Sequence, residues 1–284
     1  MKTAYITKRF NAKLKQILDA ILNVFDSYPN DKMTVRQVFY QLVSQGSIPN
    51  TQNNYHQICR IIRDGRMAGY IDFDAIEDRV RSPDVPQYFE NLDSLVDTAI
   101  TSYKLDRWAD QPYYIEVWLE KDALSGIFSR YTSEYNVVLQ VDRGYNSLSA
   151  MYEGAQRFIE NKDKKCHLLY FGDFDPSGED MTNDIPKRLS LLKAGHVQFH
   201  KLAILKADID KYKLPPNPLK ISDPRSNGFR ATHGEEAVEL DALPIDVLKQ
   251  RIETSIRSYI DFDKRQAVID SELEGKEKLT EKWK

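Results

Sequence analysis

Apolar residues recur at helical spacing near the start of the chain, at Leu14, Ile17, Leu18, Ile21, Leu22 and Phe25, with Lys13 and Lys15 among them. Steps of three and four residues predict an amphipathic helix, not the unbroken apolar run of a signal peptide. The same pattern predicts a helix from Thr34, a candidate N-cap, to Ser44, and another from about Thr51 to Arg66, with Gly46 and Pro49 between them. Gly65 and Gly69 then punctuate the chain before Tyr70-Ile71-Asp72-Phe73, whose alternation predicts a short strand. Ser82-Pro83-Asp84-Val85-Pro86 breaks the pattern, a helix from about Gln87 to Arg107 follows, and Pro112 marks a boundary near residue 110.

Beyond that boundary the pattern changes. Apolar runs at Tyr113–Leu119, Val137–Val141, His167–Phe171 and Val197–Leu205 alternate with amphipathic stretches starting at about Lys121, Ser147 and Ser177. Strands alternating with helices predict an α/β fold with a mainly parallel sheet flanked by helices. Two domains are therefore expected. Residues 1–110 have the helix, turn, helix, strand order of a winged helix, and residues 111–284 hold the sheet and a C-terminal helical extension. In such sheets function collects at the carboxyl ends of the strands.

Composition narrows the classes. A chain of 284 residues, 41% hydrophobic with only 12 Gly and 12 Pro, is neither collagenous nor of low complexity. Nothing in it is continuously apolar for long enough to span a membrane. Cys59 and Cys166 fit neither a metal-ligand spacing nor a disulfide framework, so a reducing, cytoplasmic setting is expected. With 40 Lys and Arg against 43 Asp and Glu, the net charge of −3 argues against a binder coated in positive charge. Locally, Lys32, Arg36, Arg60, Arg63 and Arg66 against Asp64 leave +4 between Lys32 and Tyr70, as a nucleic-acid reader needs. A solvated basic helix face is the alternative.

Chemistry enters at the strand ends. The first strand runs into Leu119-Glu120-Lys121-Asp122, and the third into Gly172-Asp173-Phe174-Asp175-Pro176-Ser177-Gly178. Alternate residues of an extended chain point the same way, so Asp173 and Asp175 can aim at one point, with Glu120 in reach from a neighbouring strand. Three hard oxygen donors without nearby Cys or His favour Mg²⁺, for which Mn²⁺ can substitute. Alternatively, the two aspartates shape the turn before Pro176 and cap the next helix.

A Glu after the first strand and Asp-x-Asp after the third resemble the Toprim domain of topoisomerases, primases and some nucleases. Glu120-Lys121-Asp122-Ala123-Leu124, Arg143-Gly144-Tyr145 and Asp173 to Gly178 more narrowly resemble the A subunit of topoisomerase VI and the related meiotic double-strand-break transesterase. That family places a winged helix before its Toprim domain, and its nucleophilic tyrosine follows an aromatic residue on a helix with an arginine one turn earlier. Val35-Arg36-Gln37-Val38-Phe39-Tyr40 matches, so the resemblance makes Tyr40 the candidate nucleophile and Arg36 its helper, with Glu120 a catalytic candidate as well as a metal ligand. On the residues alone, Val35, Val38, Phe39 and Leu42 form one apolar stripe, while Arg36 and Tyr40, four apart, share another face. An exposed phenol beside a guanidinium can attack phosphorus, although Tyr40 is one of 16 tyrosines and most tyrosines simply pack.

The resemblance implies a homodimer in which one protomer's tyrosine meets the other's metal site, acting on double-stranded DNA with a possible separate ATPase subunit. No Gly-x-x-x-x-Gly-Lys-Ser/Thr loop occurs in this chain. Candidate DNA contacts are Arg60, Arg63 and Arg66 on the basic helix, with Lys121 and Arg143 from the matching stretches. The implied function is metal-dependent DNA cleavage through a 5′-phosphotyrosyl intermediate. A Toprim nuclease using water, and a non-catalytic DNA-binding module, are the alternatives. After about residue 206 the resemblance fades. Arg225, Arg230 and His233 are candidate phosphate contacts there and Glu239 a candidate further metal ligand, against the simpler expectation of a solvated loop and a helix from Pro244 to about Ile260. The charged tail from Glu272 to Lys284 is expected to fray.

Overall fold

Three helices open the chain in the computed structural model: α1 (Ala12–Ser27), α2 (Val35–Ser44) and α3 (Gln52–Met67). The structure describes residues 2–29, 31–76, 86, 88–142, 147–219 and 225–283. Side chains cap each start. Asn11 accepts from the Leu14 amide, Thr34 and Gln37 form a reciprocal capping box, and Thr51 accepts from the Asn54 amide. Leu18, Ile21 and Val24 of α1 meet Val38, Phe39 and Leu42 of α2 and Ile58, Ile61 and Ile62 of α3 in a common core.

The strand expected at Tyr70–Phe73 does not form. The Tyr70 and Ile71 amides both donate to the Gly65 carbonyl, at 2.9 and 3.2 Å, closing off α3. With those donors spent, the chain makes a 3₁₀ turn at Phe73–Ala75 and a lone parallel bridge between Met33 and Ile76. The helix expected from Gln87 begins later, as α4 (Leu92–Ser102), where Asn91 and Ser94 supply a capping box.

The sheet follows: β1 (Tyr113–Leu119), α5 (Ser125–Tyr135), β2 (Val138–Val141), α6 (Leu148–Glu160), β3 (Lys165–Phe171), α7 (Pro176–Leu191) and β4 (Gln198–Ala203). All four strands are parallel in the order β2-β1-β3-β4. Next come α8 (Lys206–Tyr212), β5 (Asn217–Pro218), α9 (Ser226–His233), β6 (Glu236–Ala237), α10 (Ile245–Arg257) and α11 (Phe262–Trp283), with β5 and β6 antiparallel.

Alternation sorts the strand residues onto two cores. Ile115, Val117, Leu119, Leu169 and Phe171 face Phe128 of α5 and Leu248, Ile252 and Ile256 of α10, in a core continuous with that of α1–α3. Trp118, Leu168 and Tyr170 face Met151 and Phe158 of α6 and Met181 and Ile185 of α7. Full burial of such side chains stabilises by roughly 1.5–3 kcal/mol each, which explains a sheet covered on both faces. Glu116 interrupts the apolar run of β1. It is fully buried, held by a two-pronged 2.8 Å contact from Arg157 and by the Tyr114 hydroxyl and Trp118 indole.

As far as Trp283 the tail is helical rather than frayed. It belongs to α11, which packs on α4, and Glu272 is buried there, accepting from the Leu105 amide, Arg107 and Lys276. Among the described residues, no helix is long and apolar enough to cross a membrane.

Candidate functional site

Register brings the strand ends level. Leu119 pairs with Val141 on one side and Phe171 on the other, so Asp142, Glu120 and Gly172-Asp173 emerge together. The strand order reverses between β1 and β3: from β1 the chain passes outward to β2, then crosses back to β3 and on to β4. The crevice at such a switch point, beyond the carboxyl ends, is where α/β sheets bind ligands. Glu120 and Asp173 flank it.

Glu120 Oε2 accepts from the Asp173 amide at 2.9 Å and from the Tyr170 hydroxyl at 3.2 Å. Burial first, then the neighbouring Asp173 and Asp175 charges, push its carboxyl up to about 8. Asp173 is also raised, chiefly by burial, although Lys121 and the Leu240 amide, 2.7 Å from its Oδ1, oppose the shift. Asp175 faces a different task. Its Oδ1 caps α7, accepting from the Gly178 amide and the Ser177 hydroxyl at 2.7 Å each. Asp173 and Asp175 thus line one cleft, Glu120 is bonded to the Asp173 amide, and Asp175 also caps α7. Among the described residues no three Asp, Glu, His or Cys side chains form a cation cage. The donor chemistry nonetheless fits a hard divalent cation, because Glu120 and Asp173 are buried carboxyls raised by burial and by neighbouring acids, Asp173 and Asp175 for Glu120 and Glu239 and Asp241 for Asp173, a conflict such an ion relieves.

Residues 236–241 dock across the mouth of this crevice. Phe174 and Val238 exchange both backbone hydrogen bonds at 2.8 Å, which carries Glu239 and Asp241 over the Asp173 loop. Lys121 Nζ lies 2.5 Å from Glu239 Oε2 and 2.5 Å from Asp241 Oδ2. Arg36 Nη1 reaches the same Glu239 oxygen. Asn217 on β5 donates to the Tyr40 hydroxyl at 2.9 Å and approaches Glu239 Oε1 at 3.5 Å.

Tyr40 is buried, only 4% exposed, rather than the exposed phenol expected from the helix pattern. Helix α2 packs against the 3₁₀ turn Leu240–Ala242, which covers the face that an isolated helix would show to water. Burial and the Glu239 charge push the phenol up to about 12, against the Asn217 hydrogen bond, Lys121 and Arg36. Burial works against the charges of Arg36 and Lys121, but their acidic partners outweigh it and hold both charged. Glu239, which burial alone would raise, is kept ionised by Lys121 and Arg36. Two clefts of about 290 and 310 Å³ result. The first is lined by Tyr40 and Tyr55, the second by Lys121, Asp173 and Asp175, and both by Arg36, Asn217, Pro218 and Glu239.

The expected DNA contacts fare unevenly. Lys121 lies inside the site with its charge answered, not on a surface. Arg63 is bonded to Asp64, and Arg66 donates to the Phe73 carbonyl and stacks on that ring at 4.6 Å. Arg60 is exposed on α3, and Arg143 lies outside the described residues. Of the later candidates, Arg225 is 3.5 Å from Asp180, Arg230 3.3 Å from Glu235, and the His233 ring packs on Phe174 and Phe229. Glu239, expected at most to ligate a metal from a solvated segment, is instead the hub of the site. Asn217 and Asp241 carried no sequence signal beyond the acidic run Glu235 to Asp241. The chain matches no known protein family, and no curated protein is similar to it in sequence.

Proposed function

We propose that this protein is a metal-dependent DNA transesterase, similar to the A subunit of topoisomerase VI, that cuts duplex DNA through a phosphotyrosyl link at Tyr40. One observation carries this reading: Tyr40 and Asp173, 133 residues apart in the sequence, border adjoining clefts that share Arg36, Asn217, Pro218 and Glu239, with Glu120 behind Asp173 and bonded to its amide. In this reading α1–α3 act as the winged-helix part and residues after 110 as the Toprim part, in a homodimer on double-stranded DNA. The family resemblance implies pairing of tyrosine and carboxylates between protomers, whereas the adjacency described here lies within one chain.

In the proposed reaction the Tyr40 oxygen bonds to the scissile phosphorus as the bond to the 3′ oxygen breaks. The phenol proton leaves to solvent, and the 3′ oxygen takes one up. Arg36 and Lys121 offset the charge on the phenolate and on the phosphate oxygens, and Asn217 orients the phenol. A Mg²⁺ or Mn²⁺ ion held by Glu120 and Asp173, with Asp175 at the edge of the cleft, would supply charge for the departing oxygen.

The test is denaturing electrophoresis of labelled duplex DNA with the protein and Mn²⁺. Wild type is expected to form a protein–DNA adduct, and Tyr40→Phe and Asp173→Ala to form none. An adduct that persists in Tyr40→Phe overturns the assignment. Hydrolysis by a Toprim nuclease is the second reading, favoured by a phenol that burial and Glu239 hold protonated. It would leave free 5′-phosphate ends in both wild type and Tyr40→Phe.

A further inference from the structure

Glu239 stands where two cationic side chains converge on one oxygen. Arg36 comes from α2 and Lys121 from the turn after β1, and both meet Glu239 Oε2, while the Asn217 amide approaches Oε1. Two cations and an amide around a tetrahedral or planar anion is a phosphate-type donor set. The same carboxylate borders both the Tyr40 cleft and the Asp173 cleft, so it partitions them. It is carried on a short extended segment, held by the Phe174–Val238 bridge on one side and a 3₁₀ turn on the other. Its side chain keeps 27% of its surface exposed, which gives it a way out toward solvent.

We infer that Arg36, Lys121 and Asn217 form a binding site for a backbone phosphodiester, and that the Glu239 carboxylate occupies it as an internal stand-in until nucleic acid displaces it. Displacement joins the two clefts and removes from Tyr40 the nearby negative charge of Glu239. The inference rests on reading the clefts as a site for DNA backbone, but not on Tyr40 being the nucleophile.

The competition predicts how affinity responds to the stand-in. Binding of a fluorescein-labelled 20-base-pair duplex is measured by anisotropy in EDTA, where no cleavage intervenes, with full-length protein. Glu239→Gln keeps the shape and removes the charge, so it is expected to bind about tenfold more tightly, with a log Kd against log salt slope steeper by about one, since Arg36 becomes free for phosphate while Lys121 keeps Asp241 as a partner. Adding Arg36→Gln to Glu239→Gln is expected to abolish most of the gain. Arg36→Gln alone, which removes a half-exposed side chain and guards against misfolding of Glu239→Gln, is expected to weaken wild-type binding severalfold with a little-changed melting temperature. Equal or weaker binding by folded Glu239→Gln overturns the inference, as does unchanged binding by Arg36→Gln or absence of binding in every variant. Tighter binding by Glu239→Gln without any covalent adduct in Mn²⁺ would keep this inference and remove the tyrosine mechanism, so the two fail separately.

Discussion

Gly172 shows how one absent atom shapes the site. A Cβ at this position would lie 2.5 Å from Glu120 Oε2 and 2.6 Å from the Tyr170 hydroxyl, well inside contact distance. Only glycine lets the Glu120 carboxylate fold back onto the Asp173 amide between β1 and β3. Gly178 plays the matching part six residues on, where a Cβ would be 2.2 Å from the Asp173 carbonyl and would force the capped turn open. Gly172→Ala is therefore expected to cost about 1–3 kcal/mol by overpacking. Because it displaces a proposed ligand and its hydrogen-bonding partner together, it should also weaken Mn²⁺ binding by about 10–100-fold. Calorimetric titration of Mn²⁺ and a thermal melt check both effects. Wild-type Mn²⁺ affinity in a folded Gly172→Ala protein would remove Glu120 from the ligand set. Both glycines stand in the quoted motif, yet only the fold shows that they clear space for particular oxygens.

At the scale of elements, α11 makes a separable prediction. Burial alone would raise the Glu272 carboxyl, but hydrogen bonds from Lys276, the Leu105 amide and Arg107 outweigh it and hold the group at about 2. A carboxyl depressed in the folded state adds stability above its unfolded value, and that stability is lost as pH falls through the folded value. Glu272→Gln should thus cost roughly 2–3 kcal/mol at pH 7. The gap should narrow as pH drops from about 4.5 toward 2, since wild type then loses what the variant never had. Urea unfolding at pH 7 and pH 3.5 measures it, and a gap of constant size would show that the buried charge contributes nothing. The same helix marks a limit of sequence reading. Its charged tail looks frayed in isolation, because the pairing of Glu272 with Leu105 and Arg107 spans more than 160 residues. What was legible was local: Thr34 as a cap, helix starts near Thr51 and Ser147, strands alternating with helices, and Glu120 and Asp173 at strand ends. Tyr70–Phe73 alternated like a strand but spent its amides on Gly65, and Glu239 reaches Lys121 only through a long-range bridge.

For the whole molecule, the distribution of charge matters more than the sum of −3. Half of the basic excess of four between Lys32 and Tyr70, in which Asp64 is already counted, is answered from outside that stretch, Arg36 by Glu239 and Lys32 by Asp74 at 3.8 Å. At the sheet's carboxyl edge acids crowd together, since Glu120 is raised by burial and the Asp173 charge, and Asp173 by burial and the charges of Glu239 and Asp241. The sign of the resulting pH dependence is fixed. Between the ordinary carboxylate range and about 8, the folded state holds more protons at Glu120 than the unfolded state does, so stability falls as pH rises through that window. A bound divalent cation takes the place of the missing proton, so its stabilising effect should be small at pH 5.5 and largest near pH 8.5. At a concentration a hundredfold above its dissociation constant, such an ion adds about 2.7 kcal/mol. In a protein of this size that corresponds to a rise in melting temperature of roughly 4–5 °C. Melting curves in 5 mM Mg²⁺ and in EDTA at the two pH values provide the measurement. Glu120→Gln, which is uncharged at both, should lose the difference between them and most of the rise. An equal rise at both pH values, or one that survives Glu120→Gln unchanged, would place the cation somewhere other than the crevice between β1 and β3.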